Sequence, residues 1–135
     1  SLIGQGRTLA SPLAMATVAA SVQASETVIS TLIDGVSPST EPATPLTETE
    51  AETLRELMGA VVAEGTGQLL ADLPGKEVLA KTGTAEHGDA DLPPHTWIVG
   101  IQGDLAVGVF VEYGIGGAET AGPLLRDFLE RAEGA

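Results

Sequence analysis

Residues 77–85 read Glu-Val-Leu-Ala-Lys-Thr-Gly-Thr-Ala, and the reading of this run decides the fold. It follows a Pro74-Gly75 turn signal and precedes a polar, proline-closed loop, His87–Pro94 (HGDADLPP), so it is predicted as a strand over Glu77–Ala85. Two further β-branched, apolar runs follow, His95–Ile101 and Leu105–Tyr113, separated by Gln102-Gly103-Asp104, which is hairpin chemistry. Three consecutive strands joined by short connections should pair antiparallel.

Helices are expected on either side of these strands. Ser11-Pro12 offers a capping hydroxyl and a proline for the first helical position, leading into an apolar run that predicts a helix over 12–24. Thr27–Ile33 is β-branched and apolar before Asp34-Gly35, and predicts a short strand. Residues 36–46 carry three prolines among Ser and Thr and read as an exposed linker. Thr47 and Glu50 form a capping box for a helix over 48–64. Its apolar positions Leu54, Leu57, Met58, Val61 and Val62 recur at i, i+3, i+4, i+7 and i+8, and Gly65 stands where a left-handed cap would end it. Glu48, Glu50 and Glu52 complement the helix dipole and need no partner. Thr120 can cap a last helix, over 120–133, with Pro123 in its first turn and Leu124, Leu125, Phe128 and Leu129 on one face. The expected class is α/β (α+β), an antiparallel sheet flanked by helices.

Composition narrows the chemistry. Nineteen Asp+Glu against six Lys+Arg give a formal charge of −13 over 135 residues, which repels nucleic acid and anionic membrane surfaces. The absence of Cys removes disulfides, thiolate metal sites and a thiol nucleophile. His87 and His95 flank a loop with Asp89 and Asp91, but the spacing matches no metal-ligand pattern and a polar loop explains it. No metal and no cofactor are expected. Gly4-Gln5-Gly6 has no preceding strand and no following lysine, so it reads as a tight turn and not a phosphate loop. Trp97, among apolar neighbours, reads as core behind the strand. The chain starts at Ser1 without a charged-then-apolar leader, and is expected to be a piece or processed form of something longer.

The segment with chemistry is Lys81-Thr82-Gly83-Thr84-Ala85. Residues i and i+2 share a strand face, so Thr82 and Thr84 project together and Lys81 lies to the other side or along the edge. Gly83 leaves room for another backbone to approach. This suits an edge strand that receives an extended peptide, with hydroxyls and a cation for a terminal carboxylate. The tripeptide Lys-Thr-Gly alone decides nothing, because it occurs by chance in roughly a few per cent of chains of this length. Lysine and threonine on an edge strand also guard against aggregation.

Its context is more specific. Ile3-Gly4-Gln5-Gly6 and Ser11-Pro12-Leu13-Ala14-Met15-Ala16 come first, then Val62–Gly67 (VAEGTG), Val78–Glu86 (VLAKTGTAE), Thr96-Trp97-Ile98-Val99-Gly100 and Ala121-Gly122-Pro123. In this order and rough spacing the whole chain, 1–135, resembles the C-terminal portion of one transpeptidase domain of class B penicillin-binding proteins, which cross-link bacterial peptidoglycan. That family works with S-x-x-K, S-x-N and K-T-G. The sequence has no Asn, and neither Lys76 nor Lys81 has a Ser three positions before it. The resemblance therefore implies an incomplete fold whose nucleophilic serine lies upstream of Ser1 or on another chain. Ala80 departs from the glycine the family often has before the lysine.

The resemblance also implies roles. Lys81 and Thr84 are the catalytic candidates: Lys81 as the lysine that bonds the S-x-N serine and adds positive potential, Thr84 through a backbone N–H in the oxyanion hole. Thr82, Gly83, Thr84 and Ala85 form the substrate-binding strand, with the two hydroxyls on the terminal carboxylate or the acid group of a β-lactam. The implied partners are a stem peptide ending in D-Ala-D-Ala, β-lactams, and the remainder of the transpeptidase domain, with a homo-oligomer or domain swap expected of the isolated chain because a truncated sheet exposes apolar area. The family location is the extracytoplasmic face of the bacterial cell membrane, anchored by a segment outside this chain. Two alternatives stay open: a serine β-lactamase or β-lactam-sensing domain, against which the Gly-Gln-Gly and Ser-Pro-Leu-Ala-Met-Ala segments argue, and a non-catalytic interaction module of the same fold.

Overall fold

Helix α1 spans Pro12–Ala24 and starts on Ser11, whose hydroxyl accepts from the N–H of Ala14 at 3.1 Å. These features are seen in a computed structural model that describes residues 8–36, 44–86 and 91–133; the Gly4-Gln5-Gly6 turn, most of the proline-rich linker, His87 and Asp89 lie outside the described residues. Helix α1 ends on Ser25 in the left-handed region, φ 55°. The run Thr27–Ile33 is not a strand. The Val28 N–H is taken by the Ser21 hydroxyl at 3.0 Å, and Leu32 and Ile33 face solvent. The turn at Asp34-Gly35 does form, closed by Val36 N–H to Ile33 O at 3.2 Å with Gly35 at φ 75°. β-branched residues favour a pleated, half-buried surface, and without a partner strand their preference has nothing to act on.

Helix α2 spans Glu48–Ala63. Its capping box is complete: Glu50 N–H reaches Thr47 Oγ1 at 3.3 Å and Thr47 N–H reaches Glu50 Oε2 at 2.8 Å. The Thr47 backbone bond, then its hydroxyl, hold the Glu50 carboxyl below its usual range. The buried face is narrower than the periodicity suggests, being Ala51, Met58 and Val62, with Leu57 61% exposed. Arg55 ties the two helices together, donating to Val22 O (2.8 Å) and Ser25 Oγ (2.9 Å) and pairing with Glu48 (3.2 Å). No positive φ occurs at Gly65, so the expected left-handed cap is absent there.

The sheet has the order β1-β2-β3, all antiparallel: β1 Val78–Ala85, β2 His95–Gln102, β3 Leu105–Val111. Each strand is a residue or two off the predicted bounds: Glu77 and Tyr113 fall outside the ladder, and Gln102 joins it opposite Val78 and Leu105. Gly103, at φ 66°, takes the first position of the two-residue β2–β3 loop, where that turn needs a positive φ. One sheet face holds Val78, Ala80 and Ile98 against Leu125 and Leu129 of helix α3, Gly122–Glu133. The other holds Leu79, Val99 and Ile101 against Ala19 and Val22 of α1 and Met58 of α2. Leu125 and Leu129 are fully buried and contribute about 1.5–3 kcal/mol each. Their neighbours Leu124 and Phe128, expected on the same face, are about half exposed at 53% and 49%.

The last helix begins two residues later than predicted. A π-helical turn, Gly117–Ala121, precedes it, and the Thr120 hydroxyl turns back to accept from Ile115 N–H at 3.0 Å instead of capping α3. Arg126 donates to Leu69 O and to Asp72, and pairs with Glu130 at 3.0 Å, fixing α3 to the loop before β1.

Candidate functional site

Among the described residues strand β1 is an edge of the sheet, bonded to β2 on one side only. Register places Thr82 opposite Ile98 and Thr84 opposite Thr96, on the α3 face, and Lys81 opposite Val99, on the α1 face. The sequence-predicted residues thus divide as the pleat requires. Lys81 is exposed and folds along the edge, its Nζ donating to Thr82 O at 2.6 Å. That carbonyl therefore points away from β2. In an antiparallel ladder a residue's N–H and C=O project to the same side and residue i+2 repeats the direction, so Thr84 turns its N–H to the open edge as well.

Two contacts fix the hydroxyls. Thr82 Oγ1 lies 2.7 Å from Thr66 Oγ1, in the loop after α2, and Thr84 Oγ1 accepts from the backbone N–H of Gly117 at 3.3 Å. Gly117 sits directly on the strand backbones: a Cβ there would lie 2.6 Å from Trp97 O, 2.8 Å from Gly83 O and 2.9 Å from Gly83 N. The close approach expected of Gly83 is thus made by Gly117. A Cβ on Gly83 would meet only Trp97 Cβ, at 3.4 Å. Ala85, the last residue of β1, pairs with His95.

Trp97 is half-buried and packs on Phe110 (centroids 4.5 Å apart), which meets the His95 ring edge-on at 5.4 Å. This aromatic row lies on the α1 face beyond Gly83, so Trp97 backs the strand while keeping one side open. His95 Nδ1 lies 2.5 Å from Glu112 O. Among the described residues no group of three His, Cys, Asp or Glu could hold a metal ion, and no helix is long and apolar enough to cross a membrane.

Three surface depressions among the described residues, the roomiest of the three about 690 Å³, share Lys76 in their lining, and none of the three is lined by Thr82–Ala85. Hydrogen-bonding groups on an open strand edge mark the site better than a hollow lined by Lys76, because an extended ligand adds along an edge and needs no closed cavity. Of the strand's supports, Thr66 lies in the Val62–Gly67 stretch that carries the family resemblance, where no role is read for it, and Gly117 is not singled out at all; its one trace is a Gly-Gly before the last helix.

A family model of the penicillin binding protein transpeptidase domain matches residues 1–130. Peptidoglycan D,D-transpeptidase PbpA of Mycobacterium tuberculosis is 38% identical over 93 residues, which cover 61% of this chain and 18% of that protein. The crystal structure of PBPA from M. tuberculosis superposes with a TM-score of 0.73 at 27% identity, over 96% of this chain and 34% of that one. An imipenem acyl-enzyme complex of penicillin-binding protein A gives 0.69 at 30% identity, over 96% and 32%. PBP2 from Helicobacter pylori shares the fold, with a TM-score of 0.75 at 24% identity over 97% and 25%. The chain thus spans between 18% and 34% of these relatives' lengths, an incomplete α/β fold of their kind. Since the match extends over residues 1–130, from before α1 into α3, the chain belongs to the penicillin-binding protein transpeptidase domain family.

Proposed function

We propose that this chain supplies the K-T-G strand of a serine-type peptidoglycan D,D-transpeptidase. In this reading a serine outside these residues attacks the carbonyl of the penultimate D-Ala. The oxyanion is held in part by the outward N–H of Thr84, the terminal D-Ala leaves with a proton, and an amine of a neighbouring stem peptide takes the acyl group and frees the serine. A β-lactam enters the same way and stays as an acyl-enzyme. Thr82 and Thr84 bind the ligand carboxylate, Gly83 and Ala85 carry the strand edge along which the ligand lies, and Lys81 adds positive potential in a chain of charge −13. The observation that supports this most is the edge strand itself, with both threonine hydroxyls on one face and the Thr82 and Thr84 backbone turned outward.

The working protein, on this reading, acts at the extracytoplasmic face of the cell membrane, held by a segment outside this chain. The remainder of the domain brings S-x-x-K and S-x-N, so the 135 residues alone are inactive. Labelling the native organism's membranes with a reporter penicillin and sequencing the labelled proteins tests this. Peptides of this sequence should appear among them, while the isolated chain takes up no label. A native protein that contains these peptides and is never labelled would leave the non-catalytic module as the better account.

A further inference from the structure

The loop after α2 presents one hydroxyl to the K-T-G strand. Glu64 N–H bonds to Ala60 O at 3.0 Å, and both Gly65 N–H (3.1 Å) and Gly67 N–H (2.8 Å) bond to Val61 O. The chain wraps tightly on its own helix end. A Cβ at Gly65 would lie 2.9 Å from Val61 Cα and O, so a side chain there forces the bracket open, and one at Gly67 would sit tightly, 3.1 Å from Val61 O. Val62 beside it is buried in the core. Thr66, between the two glycines, is therefore placed by the backbone bonds on either side of it as well as by its own hydroxyl.

Its hydroxyl lies 2.7 Å from that of Thr82, the usual distance for two hydroxyls. Among the described residues neither hydroxyl has another partner. Each has one proton. If Thr82 donates to Thr66, its proton is used and it offers an arriving carboxylate only lone pairs. If Thr66 donates to Thr82, the Thr82 proton is free to point at the ligand while its oxygen stays satisfied. A carboxylate at Thr82 selects the second arrangement, and in the chain Thr66 O–H to Thr82 O–H to carboxylate each bond polarises the next. We infer that Thr66 is a positioning residue: it sets the Thr82 hydroxyl to donate to the carboxylate of the stem peptide or β-lactam. This rests on the transpeptidase reading above.

The test is the second-order rate of acylation of the full-length protein by benzylpenicillin. Thr66→Val, which keeps the shape and removes the hydroxyl, should lower the rate about five- to tenfold, the usual worth of one hydrogen bond. Thr66→Ser should restore it. Because Thr66 acts through Thr82, adding Thr66→Val to Thr82→Val should change nothing further. Equal rates for wild type and Thr66→Val, or the same loss from Thr66→Val with and without Thr82, would overturn the inference and leave the transpeptidase reading intact. A wild-type protein that takes up no penicillin would overturn that reading and this inference with it.

Discussion

Replacing Gly117 by alanine would put a methyl carbon 2.6 Å from Trp97 O, 2.8 Å from Gly83 O and 2.9 Å from Gly83 N. All three are backbone atoms of the paired strands β1 and β2, and none can swing aside. Ordinary contact begins near 3.4 Å, so the π-helical turn or the strand pair must move by about 0.5–0.8 Å. Overpacking of this kind costs about 1–3 kcal/mol. Either movement lengthens the Gly117 N–H bond to Thr84 Oγ1, already 3.3 Å, and loosens the hold on the K-T-G strand, and a misplacement of about 1 Å can cost on the order of 100-fold in rate. Gly116→Ala is the matched control, because there the added carbon meets the carboxylate end of Glu119, a flexible side chain that can rotate away. The assay is penicillin acylation and thermal unfolding of both variants in the full-length protein. Gly117→Ala should acylate 10- to 100-fold more slowly and melt lower, by about the overpacking cost, with Gly116→Ala close to wild type. Wild-type rate and melting temperature in Gly117→Ala would refute the argument that this turn positions the strand.

Other predictions follow from the core, the surface charges and the exposed apolar flank. Thr96 is fully buried beside Thr84 and its hydroxyl has no partner among the described residues, so Thr96→Val should leave stability unchanged or raise it by about 1 kcal/mol in chemical denaturation; a loss of that size would contradict the burial argument. The Arg126 guanidinium, bonded to Asp72, holds the Asp72 carboxyl below its ordinary range. Its contribution is therefore present above the unfolded value of about 3.9 and is lost as pH falls through the lowered folded value. Asp72→Asn should remove that part of the acid dependence, and a carboxyl resonance titrating at or above 3.9 would contradict it. The isolated chain exposes Leu124, Phe128, Leu57 and Phe110, and should associate with itself in sedimentation; a monomer at all concentrations would count against an incomplete sheet and core.

The elements with local chemistry were legible in the sequence. Ser11-Pro12 and the Thr47–Glu50 box place two helix starts because capping needs only residues three apart. Three apolar runs with a Gly-Asp loop specify the antiparallel ladder and put Thr82 and Thr84 on one face. What depends on distant neighbours was not legible. Thr27–Ile33 has the composition of a strand and no strand to pair with, Leu57 and Phe128 fit the helical period but not the buried stripe, and Thr120 is drawn to Ile115 by the π-helical turn. At the site, the strand was readable and its supports were not. Thr66 and Gly117 reach it from 16 and 33 residues away, and no local rule of spacing links them to it.

The proposed function requires that these residues bind substrate while a serine outside them is acylated. The direct measurement is to react the full-length protein with benzylpenicillin, digest it, and locate the penicilloyl group by mass spectrometry. One modified serine is expected, in an S-x-x-K sequence outside residues 1–135. A penicilloyl group on a serine or threonine within these residues, or none on any serine, would contradict it.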